Sequence, residues 1–332
     1  MAGRDGAAVP TGHPAPLART WGEEMATIAR KPIGRRRGSL ARREELAFYL
    51  FASPWLIGFL IWTAGPMIGS LALSLTRYDV ITPPEFSGLE NYVKMLTNDP
   101  LVWQSLKVTL TYVAGAVPLQ LLGSLLLALL MNQRVPGIAG FRTIYYMPAV
   151  IAGVPVALLW MWIFNPDFGI INNALSVIGI DGPQWLFSET WVVPAFVILS
   201  IWNVGAPMVI YLAGLQGIPQ HLYEAAEIDG AGWWAKFVNV TLPMISPIIF
   251  FNTVMQIIGS FQIFTPAYVM THGGPSNASL FIGLYLYNNA FKYFQMGYAA
   301  ALAWLLFLII MGLTVLVIRS SPYWVYYEGG RP

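Results

Sequence analysis

The sequence predicts an all-α integral membrane protein with about six transmembrane helices, and three observations carry that prediction. Of 332 residues, 56% are hydrophobic and only 10% charged, against about 25% charged in an ordinary soluble domain. Six stretches are long and apolar enough to cross a bilayer, at 46–75, 106–131, 143–166, 191–216, 243–270 and 297–318. Each crossing needs roughly 20 such residues. The charged residues fall almost wholly between these stretches.

In chain order, residues 1–45 are rich in Gly, Ala, Pro and Arg, which suits a disordered cytoplasmic tail. The run Arg35-Arg36-Arg37 could bind nucleic acid or anionic lipid, but just ahead of a first span it reads as a topology determinant. The segment is not a secretory signal, because its apolar core starts near residue 46 and runs too long. Residues 46–320 form the membrane domain, and 321–332 a short cytoplasmic C-terminal tail. The first and fifth stretches exceed the length needed and contain Pro54 and Pro66, and Pro247 and Pro266. These stretches are expected to be tilted, kinked or partly outside the membrane.

Lysine and arginine set the orientation. Nine lie in the first 43 residues, and Arg134, Arg142, Lys236, Arg319 and Arg331 fall on the same side, fourteen in all. The other side holds Arg77, Lys94, Lys107 and Lys292. By the positive-inside rule both termini are cytoplasmic, with most of the bias in the tail.

Several function classes are excluded by what the chain lacks. There is no cysteine, and His13, His221 and His272 lie too far apart in sequence for a metal-ligand spacing. No Gly-rich phosphate loop, His-Glu-x-x-His or Gly-x-Ser-x-Gly occurs, which disfavours a membrane-embedded enzyme. The stretches also lack the ionisable pairs of an ion-coupled secondary carrier. A transporter of this kind needs an energy source on another chain.

The segment 217–242 is where such a chain would bind. Pro219 suits the first turn of a helix, and Gly230 with Gly232 suits its stop. Leu222, Ala225, Ala226 and Asp229 fall on helical spacing, giving a slim face able to enter a groove. A plain amphipathic helix on the lipid surface fits the same pattern. A second short helix, from about Trp233 to Val240, would lead into the fifth span.

Glu224-Ala225-Ala226, three residues, Gly230, nine residues, then Val240-Thr241-Leu242-Pro243 resembles the loop of binding-protein-dependent ABC importer permeases. The family pattern has Ile where this chain has Val240. The resemblance implies a type I importer permease fold and a loop whose helices couple to an ATPase. Glu224, Ala225, Ala226 and Gly230 are then the coupling residues, with Asp229 on the same helix. Met270-Thr271-His272-Gly273-Gly274-Pro275, Tyr285-Leu286-Tyr287-Asn288-Asn289-Ala290-Phe291 and Gly297-Tyr298-Ala299-Ala300-Ala301 are similar to the sugar-importing branch, on the side of the larger maltose-permease and glycerol-phosphate-permease subunits. As structure, Gly-Gly-Pro is simply a sharp turn.

A substrate path must come from polar groups inside the spans. Asn252, Gln256 and Ser260 recur at i, i+4 and i+8 on span five, and span four offers Trp202, Asn203 and Gly205. Carboxamides donate and accept as sugar hydroxyls require, and an indole can stack on a sugar ring. The same residues could equally bond helix to helix, at about 0.6–2 kcal/mol each. The resemblance points to Gly205, Met208, Gln256 and Ser260 as sugar contacts, with Ile263 where the family has a polar residue.

The resemblance further implies a second, different permease chain, two ATPase subunits holding ATP and Mg, and an extracytoplasmic solute-binding protein. The chain itself would need no cofactor and no nucleic acid. It would lie in a bacterial or archaeal cytoplasmic membrane and import a sugar. A polyol or glycerol phosphate is the alternative cargo.

Overall fold

A computed structural model describes residues 39–327. The tail expected over 1–45 lies outside the described residues as far as residue 38, and from Ser39 onward it is helical. The segment 321–332 is described to Tyr327, and its first residues still belong to the last span's helix, which ends at Trp324.

The chain divides into two units, one ending at Pro66 and one starting at Met67. Within the first, α1 (Ser39–Phe59) contains Pro54 and passes into a π-helical turn, Leu60–Ala64. None of residues 42–66 is buried within the protein, as befits an apolar helix whose solvent is lipid. α2 (Gly65–Ser74) continues the run.

The second unit adds a small antiparallel hairpin, β1 (Thr76–Arg77) with β2 (Glu85–Phe86), in which Arg77 stands opposite Glu85. Then follow α3 (Glu90–Thr97), α4 (Pro100–Met131), α5 (Ile138–Tyr146), α6 (Gly153–Ile163), α7 (Ile170–Val177), α8 (Val192–Ser200) and α9 (Gly205–Gly217). The remaining helices are α10 (Gln220–Ile228), α11 (Trp233–Lys236), α12 (Leu242–Phe261), α13 (Thr265–Met270), α14 (Ile282–Tyr287) and α15 (Met296–Trp324).

Among the described residues, four helical runs are long and apolar enough to cross a membrane: Arg42–Ser74, Pro100–Met131, Trp233–Met270 and Met296–Trp324. Two bent helix pairs reach the same length and apolarity together, α5 with α6 through 102° and α8 with α9 through 46°, which gives six spans if each pair is one. The bends above 40° fall in spans three and four, whereas spans one and five, expected to be tilted, kinked or partly outside the membrane, each carry a π-helical turn, Leu60–Ala64 and Phe237–Thr241. Span three breaks around Pro148, in the 3₁₀ turn Met147–Val150, with Pro155 just beyond in the first turn of α6. Span four breaks after the 3₁₀ turn Ile201–Asn203, because Pro207 has no N–H to offer the Asn203 carbonyl. Pro247 sits inside α12 without ending it.

α4 is the spine of this unit. Asp99 caps it by accepting from Leu101 N at 3.0 Å, with Pro100 in the first turn. Ser105, Thr109, Tyr112, Ala116, Gln120, Ser124 and Ala128 form one buried stripe at helical spacing, and small residues in such a stripe let neighbouring helices come close. Two apolar cores lie along it. One gathers Val102, Leu106, Phe164, Phe196, Phe261, Phe281 and Leu302. The other, toward the far end of α4, gathers Ala128, Met131, Met208, Tyr211, Leu215 and Ile245.

Candidate functional site

The segment beyond span four folds as its turn signals predict. Pro219 precedes α10, and the helix ends at Gly230, whose φ is +79°, a region that side chains resist. Gly230 N donates to Glu227 O at 3.0 Å and Ala231 N to Ala226 O at 2.9 Å, the paired bonds of a glycine-terminated Schellman motif. α10 is braced against the base of span five. Tyr223 Oη and Thr241 Oγ1 are hydrogen-bonded at 3.0 Å, and Lys236 Nζ meets Glu227 Oε1 at 2.6 Å.

This bracing decides which face is free. Leu222, Tyr223 and Ala226 are half-buried inward, whereas Glu224, Ala225, Asp229 and Gly230 face outward. Ile228 is 88% exposed beside them. Sequence reading missed Ile228, although an isoleucine one turn on from Glu224 and Ala225 was a usable signal. The second short helix is present as α11, continued by a π-helical turn, Phe237–Thr241, directly into α12.

Between spans four and five lies a cavity of about 300 Å³, lined by Asn203, Ala206, Pro207, Ile210, Phe251, Asn252, Met255 and Gln256. Three of the expected path residues, Asn203, Asn252 and Gln256, thus meet in one place. Asn252 is 2% exposed, and its Nδ2 finds no hydrogen-bond partner among the described residues. Phe251, Met255, Pro207 and Ile210 supply an apolar surround that polarity-based reading did not pick out.

Four expected path residues are placed elsewhere. Met208 is fully buried in the core with Tyr211 and Ile245. Gly205 is a crossing point, since a Cβ there would come within 2.1 Å of the Tyr145 carbonyl oxygen. Trp202 packs half-buried with its ring edge-on to Trp160, centroids 5.9 Å apart. Ser260 is buried and absent from the lining, because eight residues at 3.6 per turn rotate it about 80° from Asn252. Ile263 is buried in the first core.

The wall of this cavity and the bracket of α10 belong to one helical run, Trp233–Met270. One continuous helical run thus joins the bracket of α10 to Asn252 and Gln256, in a chain with several helices of membrane-crossing length. Comparison with known proteins agrees and gives the family. The chain belongs to the binding-protein-dependent transport system inner membrane components, whose family model matches residues 109–321. It is 46% identical over 291 residues to the probable ABC transporter permease protein YesP of Bacillus subtilis (strain 168), covering 86% of this chain and 94% of YesP. It is 35% identical to the lactose transport system permease protein LacF of Rhizobium radiobacter, over 84% and 95% of the two chains. In structure it matches a chain of a bacterial ABC transporter involved in the import of the acidic polysaccharide alginate, with TM-score 0.73, 26% identity, and 86% and 98% of the chains covered. It also matches a bacterial alginate ABC transporter solved in complex with an alginate pentasaccharide-bound periplasmic protein, with TM-score 0.73 and 26% identity, over 84% and 95% of the two chains. The chain thus has the type I importer permease fold and is a transport subunit rather than an enzyme.

Proposed function

We propose that this chain is one of two pore-forming subunits of an ATP-driven importer that moves a sugar into the cytoplasm. The observation that carries the reading is the cavity where Asn203 of span four meets Asn252 and Gln256 of the Trp233–Met270 run, whose base also braces the exposed α10. Carboxamides can each donate and accept, matching the paired hydroxyls of a saccharide, and Phe251 offers an apolar ring face beside them. LacF and the alginate transporter, whose names specify saccharides, support this cargo. Among the described residues no cation lines the cavity to pair a phosphate, which favours a saccharide over glycerol phosphate.

In this reading α10 seats in a groove of an ATPase subunit through Glu224, Ala225, Ile228 and Asp229. A second, different permease chain closes the pathway, two ATPase subunits hold ATP and Mg, and an extracytoplasmic binding protein delivers the sugar. Closure of the ATPase pair draws the two coupling helices together, and the shift of the Trp233–Met270 run exposes the cavity outward. This is a population shift driven by contacts that differ between two states. The chain would lie in a bacterial or archaeal cytoplasmic membrane with α10 and both termini inside.

The test is reconstitution in proteoliposomes with the partner permease, the ATPase and the binding protein. Uptake of labelled sugar should require all of them and ATP. Uptake by this chain alone, or driven by an ion gradient, would refute the reading.

A further inference from the structure

Span five has a weak turn between the bracket of α10 and the cavity. Thr241, which holds Tyr223, lies to one side of it, and Phe251 and Asn252, which line the cavity, lie to the other. The turn is weak because Pro247 stands inside α12 and has no N–H to offer the Pro243 carbonyl. A helix that has lost such a bond bends there more readily.

The side chain before the proline fills the gap. Ser246 Oγ donates to Pro243 O at 2.6 Å. Ser53 and Ser321 act alike ahead of Pro54 and Pro322, donating to Leu50 O at 3.0 Å and Ile318 O at 2.8 Å. Ser246 differs in having a second, distant partner. It is 4% exposed, and its Oγ also accepts from Tyr326 N at 2.8 Å, 80 residues further along the chain.

Tyr326 belongs to a short strap formed where the chain leaves α15. Val325 turns extended, with φ −93° and ψ 125°. The Trp324 ring lies 6.1 Å from that of Phe250, centre to centre. The strap therefore meets span five at Ser246 and at Phe250, before and after Pro247, and Phe250 adjoins the cavity-lining Phe251.

We propose that Ser246 and the Tyr326 N–H splint span five at Pro247, so that movement at the α10 bracket is carried to the cavity instead of being absorbed at the proline. The proposal rests on the importer reading above. Ser246 and Tyr326 are then positioning residues for transport, touching neither the cargo nor an ATPase. With the splint in place the bent and straight forms of the turn differ by one more hydrogen bond, which shifts their ratio about three- to tenfold.

The measurement is ATP hydrolysed per sugar taken up in the proteoliposomes described above. Ser246→Ala removes both bonds. Tyr326→Pro removes only the N–H, at an exposed residue whose predecessor already has the ψ that a residue before proline adopts. Each variant should raise the ratio about three- to tenfold while ATPase co-purification stays normal. Pro247→Ala returns an N–H to the Pro243 carbonyl, so in that background Ser246→Ala should no longer change the ratio. An unchanged ratio in either variant, or a rise that Pro247→Ala does not relieve, overturns the splint. Uptake and hydrolysis falling in step leave the ratio unchanged and so count against it. If Ser246→Ala does not assemble, Tyr326→Pro alone decides. A native transporter that hydrolyses ATP without moving sugar sinks the importer reading itself, whereas normal native uptake with insensitive variants sinks only the splint.

Discussion

The hydroxyl of Tyr298 donates to Asp99 Oδ2 at 2.5 Å, and Tyr285 reaches the same oxygen. Asp99 also caps α4 through its other oxygen. One half-buried carboxylate thus ties the starts of two spans and the helix α14 together. Replacing Asp99 with Ala should remove a cap and two charge-assisted bonds, destabilising the protein by about 3 kcal/mol. Asp99→Asn should lose about half of that, since it keeps acceptor oxygens but not the charge. Thermal unfolding of the detergent-solubilised transporter compares the two, and equal stability of Asp99→Ala and the native protein would show the tie to be idle.

Burial first, then the bond to Asp99, pushes the Tyr285 phenol above its ordinary range. The folded protein holds that proton more tightly than the unfolded chain does. Its contribution is complete below pH of about 10 and is lost as pH rises toward the folded value. Stability of the native protein should therefore fall more steeply above pH of about 10 than that of Tyr285→Phe. Parallel alkaline unfolding curves would contradict the assignment.

Gln256→Leu removes one of the carboxamides facing the cavity between spans four and five. Uptake should drop severalfold while assembly and stimulated ATP hydrolysis persist, because only a cargo contact is lost. Ser260→Ala, buried away from the lining, should leave uptake near normal. Collapse of the complex in Gln256→Leu would mark the residue as helix-to-helix glue.

The outward face of α10 should respond to change without any effect on the spans. Gly230→Val forces a β-branched residue to a φ of +79°, a strain of about 1–3 kcal/mol, and should detach or uncouple the ATPase. Glu224→Lys and Ile228→Asp act differently, since both residues are exposed and neither supports the fold. They should weaken ATPase co-purification and sugar-stimulated hydrolysis at normal expression. Normal values for all three variants would remove α10 as the docking element.

Single cysteines at Ser276 and Asn277 report sidedness, because both are exposed in the turn after Gly273-Gly274-Pro275 and the chain has no cysteine of its own. The fourteen-to-four distribution of lysine and arginine predicts that they lie outside. An impermeant thiol reagent should label them from the outer face only, and labelling confined to the inner face would invert the topology.

The sequence by itself determined what depends on composition and short range. Apolar length established a multi-pass membrane protein, and Pro219 and Gly230 bounded α10, because transfer into lipid and backbone φ are properties of a residue and its near neighbours. Tertiary structure alone decided which way those elements face. Asn252 and Gln256 open to a cavity while Ser260 does not, and Ala226 turns inward while Ile228 turns out. Helix rotation is settled by partners distant in the chain, such as Thr241 for Tyr223 and Tyr145 for Gly205. The meeting of Asp99 with Tyr285 and Tyr298 spans nearly two hundred residues, and no local pattern records it. Spans three and four bend where proline and glycine coincide with a crossing helix, a condition that proline content alone, equally present in spans one and five, does not satisfy.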